Sequence, residues 1–224
     1  CIVRKFNVFH FLNSGELKEL SNTKVSKVYN KGDVLFEEGE HLNGIYCVRH
    51  GIAKLSKLSN NGRDQIVKFV SNGEVLGQRS VIAQEPANLT AVAVNEMNVC
   101  YIPKSYILEN LERNPKFSYE FLKDMAHDLK EADNVIVNMS QNPVKQRLAE
   151  VLLHLKESFG LDDDGYLLIK LSREDISNIV GTATEACIRL LSELRKDGSL
   201  TTSGTKIMIK DVSTLRQIAR GLVH

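Results

Sequence analysis

Residues 171–196 read LSREDISNIVGTATEACIRLLSELRK. Two short helical patterns stand on either side of one glycine. Ser172-x-x-Asp175 and Thr182-x-x-Glu185 each have the form of a capping box. The first opens a helix with Ile176, Ile179 and Val180 facing inward. Gly181 follows, where a left-handed backbone costs little only for glycine. In the second helix Cys187, Leu190, Leu191 and Leu194 fall at i, i+3, i+4 and i+7 and form a buried face. Thr184, Glu185, Ile188 and Arg189 project from the other side. Two short helices joined this way match the helix-turn-helix, whose second helix enters the DNA major groove. The same pair also packs in proteins that never meet DNA, with Glu185 serving only as a cap. The pattern alone leaves both readings open.

The flanking segments add weight to the DNA reading. Downstream, Ser203-Gly204-Thr205-Lys206 predicts a tight turn between Leu200–Thr202 and Ile207–Ile209. A β-hairpin directly after the second helix is a wing, and it brings Lys206 and Lys210 to where a phosphate backbone can pass. Upstream, Asn142 and Pro143 predict an N-cap and first turn. The helix that follows carries Leu148, Val151, Leu152 and Leu155 on one face and ends at Gly160. Asp162-Asp163-Asp164-Gly165 reads as a solvated acidic turn, because adjacent carboxylates lack the spacing of a calcium loop.

Further upstream, Leu122, Met125, Leu129, Ala132, Ile136 and Met139 are spaced 3-4-3-4-3. This is a heptad seam on a helix over 116–141, and the polar residues between its positions leave a stripe narrow enough for a partner helix. Residues 25–103 change to a period of two. Alternating runs at Val25–Tyr29, Gly44–Val48, Ala53–Leu58, Gln65–Val70 and Leu89–Val94 are separated by glycines, and Asn61-Gly62 predicts a two-residue hairpin. Many short strands with regular turns argue a sandwich or barrel.

Bulk properties narrow the class. The 224 residues are 42% hydrophobic and 25% charged, with a net charge of +1. No apolar run is long enough to span a membrane, so a cytoplasmic protein is expected. Residues 145–224 carry 12 Lys+Arg and 11 Asp+Glu. A DNA role therefore rests on charge placement, not on net charge. Cys1, Cys47, Cys100 and Cys187 match neither a disulfide framework nor a complete zinc site, and reduced thiols are expected. A chain opening on Cys1 suggests residues upstream of this numbering.

KGDVLFEEGE (31–40), GIYCVRHGIAKL (44–55), NGEVLG (72–77), the seam helix and LSREDISNIVGTATEACIRLLSELRKDG (171–198) together resemble the Crp/Fnr superfamily of bacterial transcription regulators, closest to the subgroup common in Bacteroidetes. The resemblance covers essentially the whole chain. It implies an α+β architecture: a cyclic-nucleotide-binding-like β jelly roll over 1–115, a dimerisation helix over 116–141 and a winged helix-turn-helix over 142–224. It implies a homodimer on an inverted-repeat site in double-stranded DNA, with RNA polymerase as a further partner. Glu185 and Arg189 fall on the family's base-contacting positions, with Thr184 and Ile188 beside them. Ser172, Arg173, Thr182, Thr205 and Lys206 fall on or beside backbone-contacting positions.

The effector is less legible. By resemblance its pocket gathers Gly77, Gln78, Arg79, Ser80, Asn88, Leu89, Thr90, Ala132 and Asp133. Members that bind cyclic AMP place a Glu where Gln78 stands, an Arg at Asn88 or Leu89, and Thr-Ser at Ala132-Asp133. Without that Arg the phosphate lacks its charge-assisted partner, so cyclic AMP is not expected. Iron–sulfur members use four cysteines; Cys1 and Cys100 match two of them, but Asn7 replaces a third, so the set is incomplete. Haem stays open, with His10, His41, His50, His127 and His154 as candidates by type only. Two alternatives remain. One is a constitutive DNA-binding member with no effector; the other is a nucleotide-binding regulatory module, which would leave the helix-turn-helix unexplained. No enzyme motif is present.

Overall fold

The computed structural model describes residues 7–59 and 62–222. The chain divides into two compact units, Cys1–Glu131 and Ala132–His224.

In the first unit a 3-10 turn (Val8–Phe11) leads into α1 (Ser14–Thr23). Asn13 and Glu16 cap α1 reciprocally, with the Glu16 carboxylate accepting from the Asn13 amide at 2.7 Å. The strands follow: β1 (Val25–Tyr29), β2 (Val34–Phe36), β3 (Gly44–His50), β4 (Ala53–Leu58), β5 (Asp64–Val70), β6 (Val75–Leu76), β7 (Thr90–Ala93) and β8 (Met97–Pro103). A short α2 (Gln78–Ala83) sits between β6 and β7, and α3 (Lys104–Arg113) follows β8. The strands form two antiparallel four-stranded sheets, β1-β8-β3-β6 and β2-β7-β4-β5. Alternate side chains face inward, so Val48, Leu76, Met97, Val99, Ala53, Val70 and Ala91 form one apolar layer. Gly44 is required where β3 crosses β8, because a Cβ there would lie 2.4 Å from the Ile102 carbonyl oxygen.

Two strand expectations change. Alternation finds β1 and β4 to the residue, but β2 and β6 are too short to show a period. The turn at Asn61-Gly62 is wider than two residues. Ser59 and Arg63 still pair, with the Ser59 amide 2.8 Å from the Arg63 carbonyl oxygen, so three residues close the loop. Gly62 supplies positive φ at its end, while Asn61 lies outside the described residues.

α4 (Pro115–Gln141) runs from the first unit into the second. Asn114 caps it, its side-chain oxygen accepting from the Phe117 amide at 3.0 Å, and Pro115 takes the first helical position. Phe117 and Phe121 point into the β-roll core, and Lys68 on β5 pairs with Asp128 at 2.8 Å. Leu122, Leu129 and Ile136 are 64%, 65% and 64% exposed. Met125 and Met139 are half-buried and Ala132 is exposed.

The second unit holds α5 (Val144–Phe159), α6 (Arg173–Val180), α7 (Thr184–Lys196), a hairpin of β9 (Leu200–Ser203) and β10 (Lys206–Ile209), and α8 (Val212–Ala219). Leu148, Leu152, Leu155, Ile176, Val180, Leu191, Leu194 and Leu215 make its core. Val151, Ile179 and Leu190, expected inside, are half-buried at its margin. The cap of α5 is Pro143, not Asn142. The Asn142 side chain turns back to Asn138 at 2.9 Å instead.

Candidate nucleic-acid interface

The pair α6–α7 is built as its sequence requires at one end and differently at the other. Ser172 caps α6, accepting from the Asp175 amide at 2.9 Å, while the Asp175 carboxylate accepts from the Ser172 amide. Gly181 ends α6 in the left-handed region, φ 71 and ψ 51. The second capping box does not form. Ala183 is the cap of α7, and no side chain caps it. The reason lies in the Gly181–Ala183 turn, where the Gly181 and Thr182 amides both bond the Ser177 carbonyl oxygen at 2.9 and 3.1 Å. Helical geometry therefore starts one residue later than Thr182 would need.

This turn also redirects Thr184. Its hydroxyl lies 3.0 Å from the hydroxyl of Ser177, a fully buried residue that also donates to the Glu174 carbonyl oxygen. The Thr184 hydroxyl thus fastens α7 to α6 and does not point away from it. Glu185, Ile188 and Arg189 do project outward; Ile188 is 46% exposed and the Arg189 side chain is 74% exposed. Arg189 has one distant neighbour in Glu193, at 3.9 Å. On the opposite face Cys187, Leu191 and Leu194 are buried, and burial pushes the Cys187 thiol up to about 11. Such a thiol is inert.

The hairpin turns on Gly204 and Thr205, with Lys206 opposite Ser203. Gly204 has φ 57, the positive value that a two-residue turn with glycine first demands. Thr205 at the tip is exposed. Arg173 and Lys206 are engaged within the protein. The Arg173 guanidinium donates to the Gly204 carbonyl oxygen at 2.9 Å, and its Nη1 is buried with no hydrogen-bond partner among the described residues. Burial lowers its pKa from the ordinary arginine value. Arg173 therefore positions the hairpin instead of standing free for a phosphate. Lys206 reaches back to Asp162 at 3.4 Å and lies over the Tyr166 ring, 5.1 Å from its centre. The acidic turn is thus joined to the hairpin; Asp162 also accepts from the Tyr166 amide, which holds its carboxyl below the ordinary range.

A further residue escapes sequence reading. Arg147 on α5 donates to Val180 and Gly181 carbonyl oxygens at 2.9 and 3.1 Å, and to those of Asn142 and Met139 at 2.8 and 3.4 Å. One guanidinium joins the ends of α4 and α6. A lone Arg between helical apolar positions carries no signal of this in the sequence.

In the first unit the expected effector residues lie on α2, at the start of β7 and in the loop before it. Ser80 bonds Glu85 through its backbone, Ala87 bonds Glu40, and the Glu38 amide donates to the Thr90 hydroxyl at 3.0 Å. Gly77 opens α2 at φ 81, with Gln78 following. Arg79 pairs with Glu85 at 3.1 Å. Lys57 pairs with Glu38 and donates to the Asn88 carbonyl oxygen at 3.3 Å. Leu89 is half-buried beside them. Lys57 and Arg79 are thus each ion-paired at the surface. Ala132 and Asp133 are exposed on α4. A four-thiolate cluster also finds no fit among the described residues, which hold Cys47, Cys100 and Cys187, all buried; Cys1 lies outside them. His10, His41, His50, His127 and His154 are all on the surface.

Comparison with known proteins agrees with this construction. Residues 26–114 match the cyclic nucleotide-binding domain family and residues 146–218 the Crp-like helix-turn-helix domain family. The anaerobic regulatory protein of Pasteurella multocida is 28% identical over 223 residues, 98% of this chain and 81% of that protein. The fumarate and nitrate reduction regulatory protein of Escherichia coli K12 is 27% identical over 98% of this chain and 88% of its own length. Among solved structures, FixK2 from Bradyrhizobium japonicum is 25% identical with a TM-score of 0.77, covering 88% of this chain and 97% of FixK2. A CooA mutant from Carboxydothermus hydrogenoformans shares the fold at 21% identity, with a TM-score of 0.74 and 95% of each chain covered. A β-roll of the cyclic nucleotide-binding type, a long helix and a helix-turn-helix with wing, in this order, make the chain a member of the Crp/Fnr family of DNA-binding transcription regulators.

Proposed function

We propose that the protein works as a homodimer that reads an inverted-repeat promoter site through Glu185, Ile188 and Arg189, responding to an effector bound in or near the β-roll. The observation that carries this reading is the division of α7 into a buried apolar face and an outward face holding one carboxylate, one aliphatic and one guanidinium group. A carboxylate accepts from the cytosine amino group, an Arg forks onto guanine O6 and N7, and an apolar side chain suits the thymine methyl. Arg189→Ala is expected to cost about 1–3 kcal/mol and relax preference at one base pair. Binding-site selection checks this; an unchanged selected motif with uniformly weaker binding would remove Arg189 from base readout. Contact with RNA polymerase and residence in the cytoplasm belong to the same reading.

Ser172, Thr182 and Thr205 remain candidates for phosphate contact. Lys206 must first leave Asp162. Asp162→Asn is therefore expected to raise affinity for all DNA sequences alike, by no more than about five-fold for each half-site, since an exposed ion pair contributes little. Titration at two salt concentrations checks it, and unchanged or weaker binding at low salt would show that the pair does not compete with DNA.

Cyclic AMP is not the effector in this reading. Its phosphate would meet Lys57 and Arg79 already paired with Glu38 and Glu85. Calorimetry is expected to show no saturable binding at micromolar nucleotide, and a micromolar or tighter dissociation constant would overturn this.

A further inference from the structure

A cavity of about 160 Å³ lies between α1 and the face of β3 and β8. Phe9, Leu17, Leu20 and Ile102 give it apolar walls. Cys47 and Cys100 also line it, 3% and 2% exposed. They stand directly opposite each other in the β3–β8 register. The polar backbone of Val48 is spent on Gly73 and Glu74 at the β6 side. That of Cys47 therefore turns to β8, and the two cysteines form a hydrogen-bonded cross-strand pair with side chains on one face.

Both thiols are free. Asn7, Ser21 and Lys24 add polar groups to the lining. The Asn7 amide donates to the Cys47 sulfur at 3.3 Å and to the Gly73 carbonyl oxygen at 2.9 Å. Lys24 brings a positive charge that favours the Cys47 thiolate. Burial and the neighbouring Cys100 outweigh both, pushing the Cys47 thiol up to about 12. The Cys47 thiol stays protonated until something repays the loss of its proton.

We infer that Cys47 and Cys100 form a two-coordinate site for a soft monovalent cation such as Cu(I), with Lys24 as the balancing charge and Asn7 orienting one sulfur. Directly opposed residues hold their Cβ atoms about 4.5–5.5 Å apart. A metal–thiolate bond is roughly 2.3 Å, so one ion between two sulfurs needs them no more than roughly 4.6 Å apart. Thiolates select soft ions. Two Sγ–H bonds break, two sulfur–metal bonds form and two protons leave to solvent. Two thiolates, one monovalent cation and the Lys24 ammonium sum to zero charge, which an apolar cavity tolerates. Zinc wants four ligands, and no group of three or more His, Cys, Asp or Glu is placed to hold a metal among the described residues. A divalent ion would also leave a net positive charge beside Lys24.

The site is tested without DNA, so its outcome is independent of the regulatory reading above. The full chain carrying Cys1→Ser and Cys187→Ser is reduced, kept anaerobic and titrated with Cu(I) against a chromogenic chelator. One Cu(I) per chain, two protons released and two sulfur scatterers in X-ray absorption are expected. Cys47→Ala and Cys100→Ala are each expected to weaken binding by about 100-fold or more, and Lys24→Gln by about 10-fold, the scale of losing a supporting partner of a metal ligand. Circular dichroism confirms that each variant is folded, and Cys47→Ser and Cys100→Ser serve where an alanine variant is not. Absence of Cu(I) binding, full binding after loss of either thiol, or Zn(II) held as tightly as Cu(I) would overturn the site.

Discussion

Leu129→Asp is expected to turn a dimer into monomers and to abolish high-affinity DNA binding. Leu122, Leu129 and Ile136 recur every seven residues on α4, and each leaves about two-thirds of its surface uncovered in the single chain. Met125, Ala132 and Met139 fill the intervening seam positions. A partner helix that covers them gains roughly 1.5–3 kcal/mol for each large side chain fully buried. An aspartate at position 129 reverses this, since two-fold symmetry sets two carboxylates near one another in an apolar seam. The effective penalty is still several kcal/mol per buried ion, and about 4 kcal/mol is already about 1,000-fold in an equilibrium constant. Leu129 is exposed, so the substituted chain should fold normally and give an unchanged far-UV circular dichroism spectrum. Sedimentation equilibrium at micromolar concentration measures the result. A wild-type monomer, or an aspartate variant that stays dimeric, contradicts the seam.

Arg147→Met is expected to loosen the helix-turn-helix by about 3 kcal/mol, because bonds to a charged donor are each worth about 1.5–3 kcal/mol and their losses do not add. Its guanidinium holds carbonyl oxygens at the end of α6 and at the α4–α5 junction. Those helix ends carry the negative pole of the backbone dipoles, which a cation complements. Without it the Val180 and Gly181 carbonyls lose their partner, and α7 loses the fixed turn from which it starts. Denaturant melting reports the stability change. DNA titration under conditions where the variant is still folded should show affinity lower by about 10-fold or more, that is, by at least about 1.4 kcal/mol. Arg147→Lys should recover only part of both, since an ammonium lacks the planar fork that spans several carbonyls. Full recovery with lysine, or wild-type stability in the methionine variant, would reduce Arg147 to a bystander.

Local signals and tertiary ones divide clearly along this chain. Gly181 ends α6 because glycine alone takes that backbone region without strain, and the residues around it say so directly. The same holds for the seam, whose seven-residue period is visible before any neighbour is known. The second capping box looked equally local, yet the two hydrogen bonds from the Gly181 and Thr182 amides to the Ser177 carbonyl oxygen moved the helix start and turned the Thr184 hydroxyl inward. Arg173 and Lys206 were readable as cations beside a hairpin. Their engagement by Gly204 and Asp162 depends on which loop folds back toward the hairpin, 31 residues from Arg173 and 44 from Lys206.

By itself the sequence determined the succession of main β-roll strands, seam helix, helix-turn-helix and wing, the two apolar faces of the helix-turn-helix, the alternation of those strands and the exposed stripe of α4. Periodicity and turn chemistry act over a few residues, and each of these features is set within that reach. Only the tertiary structure decided which polar groups are already spent. Lys57 on Glu38, Arg79 on Glu85, Arg147 on the ends of two helices and Cys47 opposite Cys100 are pairings across strands, loops and helices. A buried or half-buried charge takes whatever partner the fold brings within hydrogen-bond reach, and that reach is measured through space, not along the chain.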